Sequence, residues 1–285
     1  MSLLENCVKL RMLALALVTG FGISAGPVQA QSTAHVGPAA RDLVEQMLAR
    51  EQEASAHKQA YTYLSVERSE RTGGHLWVEH VVETPLGRIR FLLAEDGQPL
   101  SPERMGQERG RLAAILADPA AFDAREKSQK DDEEHARQML ALLPKAFILE
   151  HLRPQGTDWR IDFRPDPAYS ASGIEEKVLH AMTGYLLIDQ KQLRLHYIEG
   201  AMPQDVSIGF GLLATIHAGS HFLTAKEPIQ GQWRTTRVIS DVRGKAALFK
   251  SIARNQDVTR SEFHRLDAPP NLAQAVALAE QPPVP

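Results

Sequence analysis

Eleven histidines and a single cysteine are the residues best able to do chemistry in this chain, and their spacing decides how much chemistry is within reach. His75 and His80 are five apart and, on one strand, point to opposite faces, so they do not converge on a metal. His217 and His221 are four apart, but Gly219 lies between them and no third ligand stands at a recognised spacing. Solvated or sheet-satisfied histidines are therefore expected. No Gly-x-Ser-x-Gly elbow is present, and Gly219-Ser220-His221 lacks the strand-to-helix setting that strains and exposes a nucleophilic serine. Gly209-Phe-Gly211 lacks the third glycine and the βαβ setting of a phosphate loop. Carboxylates are plentiful, but acid and base catalysis needs two of them in one cleft, which spacing does not reveal. The reading is of a non-enzymatic protein, with no catalytic residue, metal ligand or cofactor motif.

What the pattern offers instead is apolar surface. Trp77, Trp159 and Trp233 lie on predicted strands, and Phe91, Phe163, Phe222, Phe249 and Phe263 fall on or beside strands. One reading is an ordinary core between sheet and helices. The other is a curved sheet too wide to be filled by its own side chains, which leaves a cavity for an acyl chain. The wall of such a cavity would come from the dry faces of the strands: Trp159, Ile161, Phe163, Leu186, Ile188, Leu193 and Leu195.

The elements that must position these residues are legible from periodicity. From Pro38 to about His57, Leu43, Val44, Met47 and Leu48 recur at helical spacing among charged residues, which predicts an amphipathic helix. Three strands follow in a meander, over 61–70, 76–83 and 88–94, separated by Thr72-Gly73-Gly74 and Pro85-Leu-Gly87 and closed by Asp96-Gly97. Ser101-Pro102-Glu103 opens a helical insert, 101–143, in which Asp118-Pro119 starts a second helix and Pro144 ends it. Its charge run Lys127 to His135 reads as a solvated helix surface, with docking as the alternative. Strands then resume at 146–152 and 159–164, where Trp159, Ile161 and Phe163 face one way and Arg160, Asp162 and Arg164 the other. A short helix or crossover spans 172–182. Further strands are expected at 184–189, 193–198, 204–209, 219–227, 232–242, 246–254 and 257–266, with turns at Gln230-Gly231, Arg243-Gly244 and Asn255. The predicted fold is α+β: a strongly curved antiparallel sheet, an unclosed β-barrel of about ten strands, covering helices.

Residues 1–30 read as a cleavable export signal. Lys9 and Arg11 precede an apolar stretch of roughly a dozen residues, against the ~20 a spanning helix needs, and Val28-Gln29-Ala30 suits a peptidase. Cys7 precedes that stretch and leaves with it, so the mature chain has neither thiol nor disulfide. Losing Glu5, Lys9 and Arg11 takes Lys+Arg from 32 to 30 and Asp+Glu from 35 to 34, a net charge of −4. That balance offers nothing to nucleic acid or an anionic membrane, and the mature chain contains no transmembrane segment. Residues 31–266 read as one domain. The tail, 267–285, is Pro-rich and expected to end in disorder, with a helical turn or two at Leu272 to Leu278.

The export signal, leading helix, meander and insert precede Met182-Thr-Gly-Tyr-Leu-Leu-Ile-Asp189, then Leu193-Arg-Leu-His-Tyr-Ile-Glu-Gly200 and later Gly231-Gln-Trp233. This pattern resembles the outer-membrane lipoprotein-sorting, or LolA/LolB-like, superfamily over roughly residues 40–266. The resemblance implies an unclosed barrel around helices, with a hydrophobic cavity that in the known carriers takes lipoprotein acyl chains. It also implies relatives in periplasmic stress sensing that bind proteins or lipopolysaccharide. The chain departs from the simple carriers in its large insert, and nothing matches their lid-fixing arginine, so no functional residue is carried over. The expectation is a periplasmic protein that binds the acyl chain of a lipid or lipoprotein. The alternative is an envelope interaction or stress-sensor module that binds another envelope protein through its sheet edge or insert.

Overall fold

The computed structural model describes residues 38–57, 59–208, 214–246 and 250–281. The export signal expected at 1–30 and Phe249 lie outside the described residues. Residues 36–285 cluster as one unit. It opens with helix α1 (Pro38–Ser55), then strands β1 (Tyr61–Ser69), β2 (Leu76–Glu83), β3 (Arg88–Glu95) and the two-residue β4 (Gln98–Pro99). The insert is α2 (Pro102–Ala117), α3 (Pro119–Leu140) and a single turn, α4 (Leu143–Ala146). Ser101 and Asp118 cap α2 and α3 by accepting from Arg104 N and Ala121 N, with proline in each first turn. Next come β5 (Phe147–Gln155), β6 (Asp158–Pro165), α5 (Ile174–His180), β7 (Thr183–Asp189) and β8 (Leu195–Ala201). The chain closes with β9 (Val206–Ile208), β10 (Ala214–Ile216), β11 (His221–Ile229), β12 (Gln232–Ala246), β13 (Lys250–Arg265) and α6 (Leu272–Ala279).

These 13 strands form one antiparallel sheet, ordered β4-β3-β2-β1-β13-β12-β11-β8-β7-β6-β5, with β10 attached to β12 and β9 to β10. Pairing of β1 with β13 joins the early meander to the later strands, and the ends β4 and β5 stay unpaired with each other, so the sheet is unclosed. The strands with no counterpart among those expected are β4 and β10, two and three residues long and too short to leave a clear alternation.

Two expected turns are absent. Arg243-Gly244 lies inside β12, and Asn255 lies inside β13, which runs unbroken where two strands, 246–254 and 257–266, were expected. Pairing of Asn255 with Asp241 of β12, and of the next residue, Gln256, with Ser69 of β1, overrides the local turn preference of asparagine. Gly244 serves a close approach: a Cβ there would lie 2.5 Å from Thr215 O and 3.1 Å from Ile216 Cδ1. The helical turns expected at Leu272 to Leu278 are present as α6, and residues 282–285 lie outside the described residues. Asn271 and Gln274 form a reciprocal capping box that starts α6, and Ala275, Val276 and Ala279 are buried.

The register assigns the faces. Ile198, Thr224, Val238, Val258, Glu67 and Trp77 stand opposite one another in turn across β8, β11, β12, β13, β1 and β2, and so share one face. On that face α1 buries Ala40, Val44 and Met47 against Phe147, Leu149 and the apolar residues of β6 to β8. His80, Val82, Ile89 and Phe91 point the other way, and Val82, Ile89 and Phe91 pack on Leu112 and Ile115 of α2, Phe122 of α3 and Val276 of α6. The helices are thus divided between the two faces of the sheet.

Candidate binding face of the sheet

The face that carries α1 has an apolar half and a charged half. Five of the seven expected wall residues, Ile161, Phe163, Leu186, Ile188 and Leu195, sit in one buried cluster beneath α1, none more than 3% exposed. Trp159 packs on the same cluster and is half-buried. Leu193 is not part of it. It occupies the turn between β7 and β8 at φ 54°, and β8 begins only at Leu195, because the turn from Asp189 to Arg194 needs a left-handed residue at that point. With α1 seated, the wall residues are therefore a packed floor beneath a helix.

A polar clasp fixes the C-terminal end of α1. Glu51 accepts from Arg194 Nε at 2.7 Å, from the Leu195 amide at 3.2 Å and from the Lys226 ammonium. Burial alone would push the Glu51 carboxyl up, but the Lys226 charge and the Arg194 hydrogen bond outweigh it and hold it below the ordinary value.

The charged half lies on β1, β2, β3 and β13. Arg71 donates to Glu67 at 2.7 Å and to Glu79 at 2.5 Å, and both carboxylates are nearly inaccessible. Burial would raise the Glu67 carboxyl; hydrogen bonds from Arg71 and Ser69 bring it below its ordinary value. Arg234 pairs with Glu83 and lies over the Tyr61 ring at 4.4 Å, and Arg88 pairs with Glu133 of α3. Tyr63 stacks on Phe263 at 5.0 Å. Sequence reasoning missed these groups, although a signal was present. Glu67 has the same strand parity as Tyr61 and Tyr63, so a charge was due to point into the tyrosine face.

Open recesses of the described surface include the following two. One, of about 490 Å³, lies between Arg68 to Gly74 and the strand positions Ile239 to Asp241 and Asn255 to Asp257. The other, of about 440 Å³, lies between the β11–β12 hairpin and β13. None of the seven expected wall residues lines either.

Several histidines meet carboxylates, among them His75 with Asp96, His196 with Asp158, and His217 with Asp205. His80 instead meets Thr62 at 2.6 Å, in a contact shaped like a base and a hydroxyl nucleophile. Its Nδ1 faces the carbonyls of Ala279 and Gln281, which only accept, so Nδ1 holds the hydrogen and Nε2 accepts from Thr62. The pair is buried beneath α6, where no substrate reaches it, and it ties the helix to the sheet. Among the described residues no three metal-binding side chains converge, and no helix is long and apolar enough to cross a membrane. No family model, curated protein or solved structure matches the chain.

Proposed function

We propose that this protein is a non-enzymatic carrier of the periplasm that shelters the acyl chain of a lipid or lipoprotein beneath α1. One observation carries the reading: an apolar floor of β-strand side chains is covered by the amphipathic α1, flanked by the short α4 and Leu179 of α5, and the far end of α1 is held by a polar clasp, Glu51 with Arg194 and Lys226. Opening the clasp lets α1 lift and offers Ile161, Phe163, Leu186, Ile188 and Leu195 to a ligand. The energies are commensurate. Val44 and Met47, with the half-buried Leu43 and Leu48 counted at half weight, account for about 4–9 kcal/mol at ~1.5–3 kcal/mol per fully buried side chain. An acyl chain of about a dozen carbons offers about 10 kcal/mol at ~0.8 kcal/mol per methylene, before the entropic costs of association. Exchange of helix for ligand is then reversible, as a carrier requires. The export signal read at residues 1–30 and the resemblance to lipoprotein-sorting proteins support the same conclusion.

The interaction-module alternative has less support. The insert commits Leu112, Ile115 and Phe122 to the sheet, which leaves Leu116 as its large exposed apolar side chain among the described residues.

Mass spectrometry of an organic extract from the purified mature protein tests the proposal, alongside titration with a fluorescent fatty acid. Acyl species should co-purify, and Glu51→Ala should take up the probe more readily than the wild type while Trp159 emission shifts. An extract free of acyl species, together with no probe uptake by either protein, would refute the carrier reading.

A further inference from the structure

We propose that the charged half of the α1-bearing face holds a binding site for one anionic group, a phosphate or a carboxylate, grasped by Arg260 beside Ser65 and Tyr63. The argument starts from an imbalance. Five guanidinium groups gather from β3, β12, β13 and the β1–β2 turn: Arg71, Arg88, Arg90, Arg234 and Arg260. Four find carboxylates, Arg71 with Glu67 and Glu79, Arg90 with Glu79 at 3.7 Å, Arg88 with Glu133 and Arg234 with Glu83. Arg260 has neither hydrogen bond nor ion pair among the described residues, and its side-chain contact is the Tyr63 ring at 5.8 Å.

Its surroundings are those of a cradle without an occupant's charge supplied by the protein. The register sets Arg260 directly opposite Ser65, whose hydroxyl is fully buried and has no partner. A buried hydroxyl left this way is costly and uncommon, and it stands beside an equally unpaired cation. Burial pushes the Arg260 guanidinium down from its ordinary pKa, and the neighbouring positive charges of Arg88 and Arg90 add to that, against opposing contributions from Tyr63 and Glu83. A bound anion relieves all three unfavourable terms at once.

Access is from the Arg260 side, because Ser65 and Tyr63 are buried behind it. Pairing between β12 and β13 stops at Arg237 and Thr259, so β13 from Arg260 onward has no strand partner on that side. The 440 Å³ recess occupies this split and is lined by Arg260, Ser261 and Phe263. Its rim also bears Glu227 and Glu262, both exposed. Their screened repulsion disfavours polyanions and suits a ligand with a single charged group. This site uses none of the residues beneath α1, so it and the carrier reading stand or fall separately.

Thermal melts of the mature protein at constant ionic strength provide the test, with inorganic phosphate compared with chloride, and dodecyl phosphate or dodecanoate compared with neutral dodecyl maltoside. Anion binding should raise the midpoint of the wild type. Arg260→Met should melt no lower than wild type without anion and lose about 10- to 100-fold in anion affinity, the weight of one charge-assisted contact. Ser65→Ala should fold normally and bind several-fold more weakly. A shift with inorganic phosphate identifies a free anion as sufficient, whereas a shift confined to the dodecyl anions identifies an amphiphile headgroup. The proposal is overturned if no anion moves the wild-type midpoint, if both variants keep the full shift, or if Arg260→Met unfolds while Ser65→Ala binds like wild type.

Discussion

Gly184 lies directly opposite Gly200 across the β7–β8 ladder, and the ring of Phe163 closes over the pair. A Cβ at Gly184 would fall 2.8 Å from both Gly200 Cα and Phe163 Cζ, and closer still to the Glu199 carbonyl. A larger residue can enter only by displacing backbone, so the glycine in Gly184-Tyr-Leu-Leu-Ile-Asp189 is a packing requirement of the apolar floor.

Gly184→Ala is therefore expected to destabilise the protein by about 3 kcal/mol, the upper range for overpacking, read as a lowered urea midpoint. Gly106→Ala in α2 meets nothing within 4 Å and should stabilise by roughly 0.5–1 kcal/mol through helix propensity. Equal effects at the two sites would contradict the packing argument.

Arg71→Met should cost about 2–4 kcal/mol, because Glu67 and Glu79 would remain buried without their shared partner. The figure is set below that for a fully enclosed pair because the Arg71 side chain is 34% exposed.

Acid should weaken the fold through Glu51, Glu67 and Glu108. Each is held below the ordinary glutamate value of 4.5, so the unfolded chain binds protons first as pH falls. Their stabilisation is complete above about pH 4.5 and disappears as pH drops through the folded values. Denaturant titrations from pH 7 to pH 3 should show this decline, and a shallower one in Arg71→Met, where Glu67 has lost its clamp.

His80 predicts a second, milder transition. Burial pushes its pKa below the ordinary 6.5, against the opposing backbone hydrogen bonds to Ala279 and Gln281. The folded protein keeps the ring neutral, so the associated stability is full above about pH 6.5 and is lost as pH falls through the depressed value. Protection of the α6 amides, measured against their intrinsic exchange rate at each pH, should fall over that range. His80→Gln should abolish the dependence, whereas unchanged protection between pH 7 and pH 5 in the wild type would contradict it.

Glu108 guards an open edge. From α2 it accepts the Leu92 amide at 3.1 Å, while Arg111, paired with it, donates to the Arg90 carbonyl, on the stretch of β3 that β4 does not cover. Glu108→Ala should cost about 1–3 kcal/mol for the unpaired amide, and light scattering should detect faster aggregation on warming.

The sequence alone determined the elements whose signals are local. Alternation over Tyr61 to Ser69 and Trp159 to Arg164, helical spacing over Leu43 to Leu48, and the caps Ser101 and Asp118 each depend on neighbours within a few residues. From them follow an α+β chain, a helical insert and an antiparallel sheet. Only the tertiary structure decided that β1 pairs with β13, that helices lie on both faces, and that α1 covers the floor formed by Ile161, Phe163 and Leu186. It also decided that Leu193 turns away and that Arg260 stands without a carboxylate, while Glu51 meets Lys226 across 175 residues. Those relationships depend on which strands become neighbours. Register is set by the mutual fit of distant side chains and leaves no periodic trace in a linear chain.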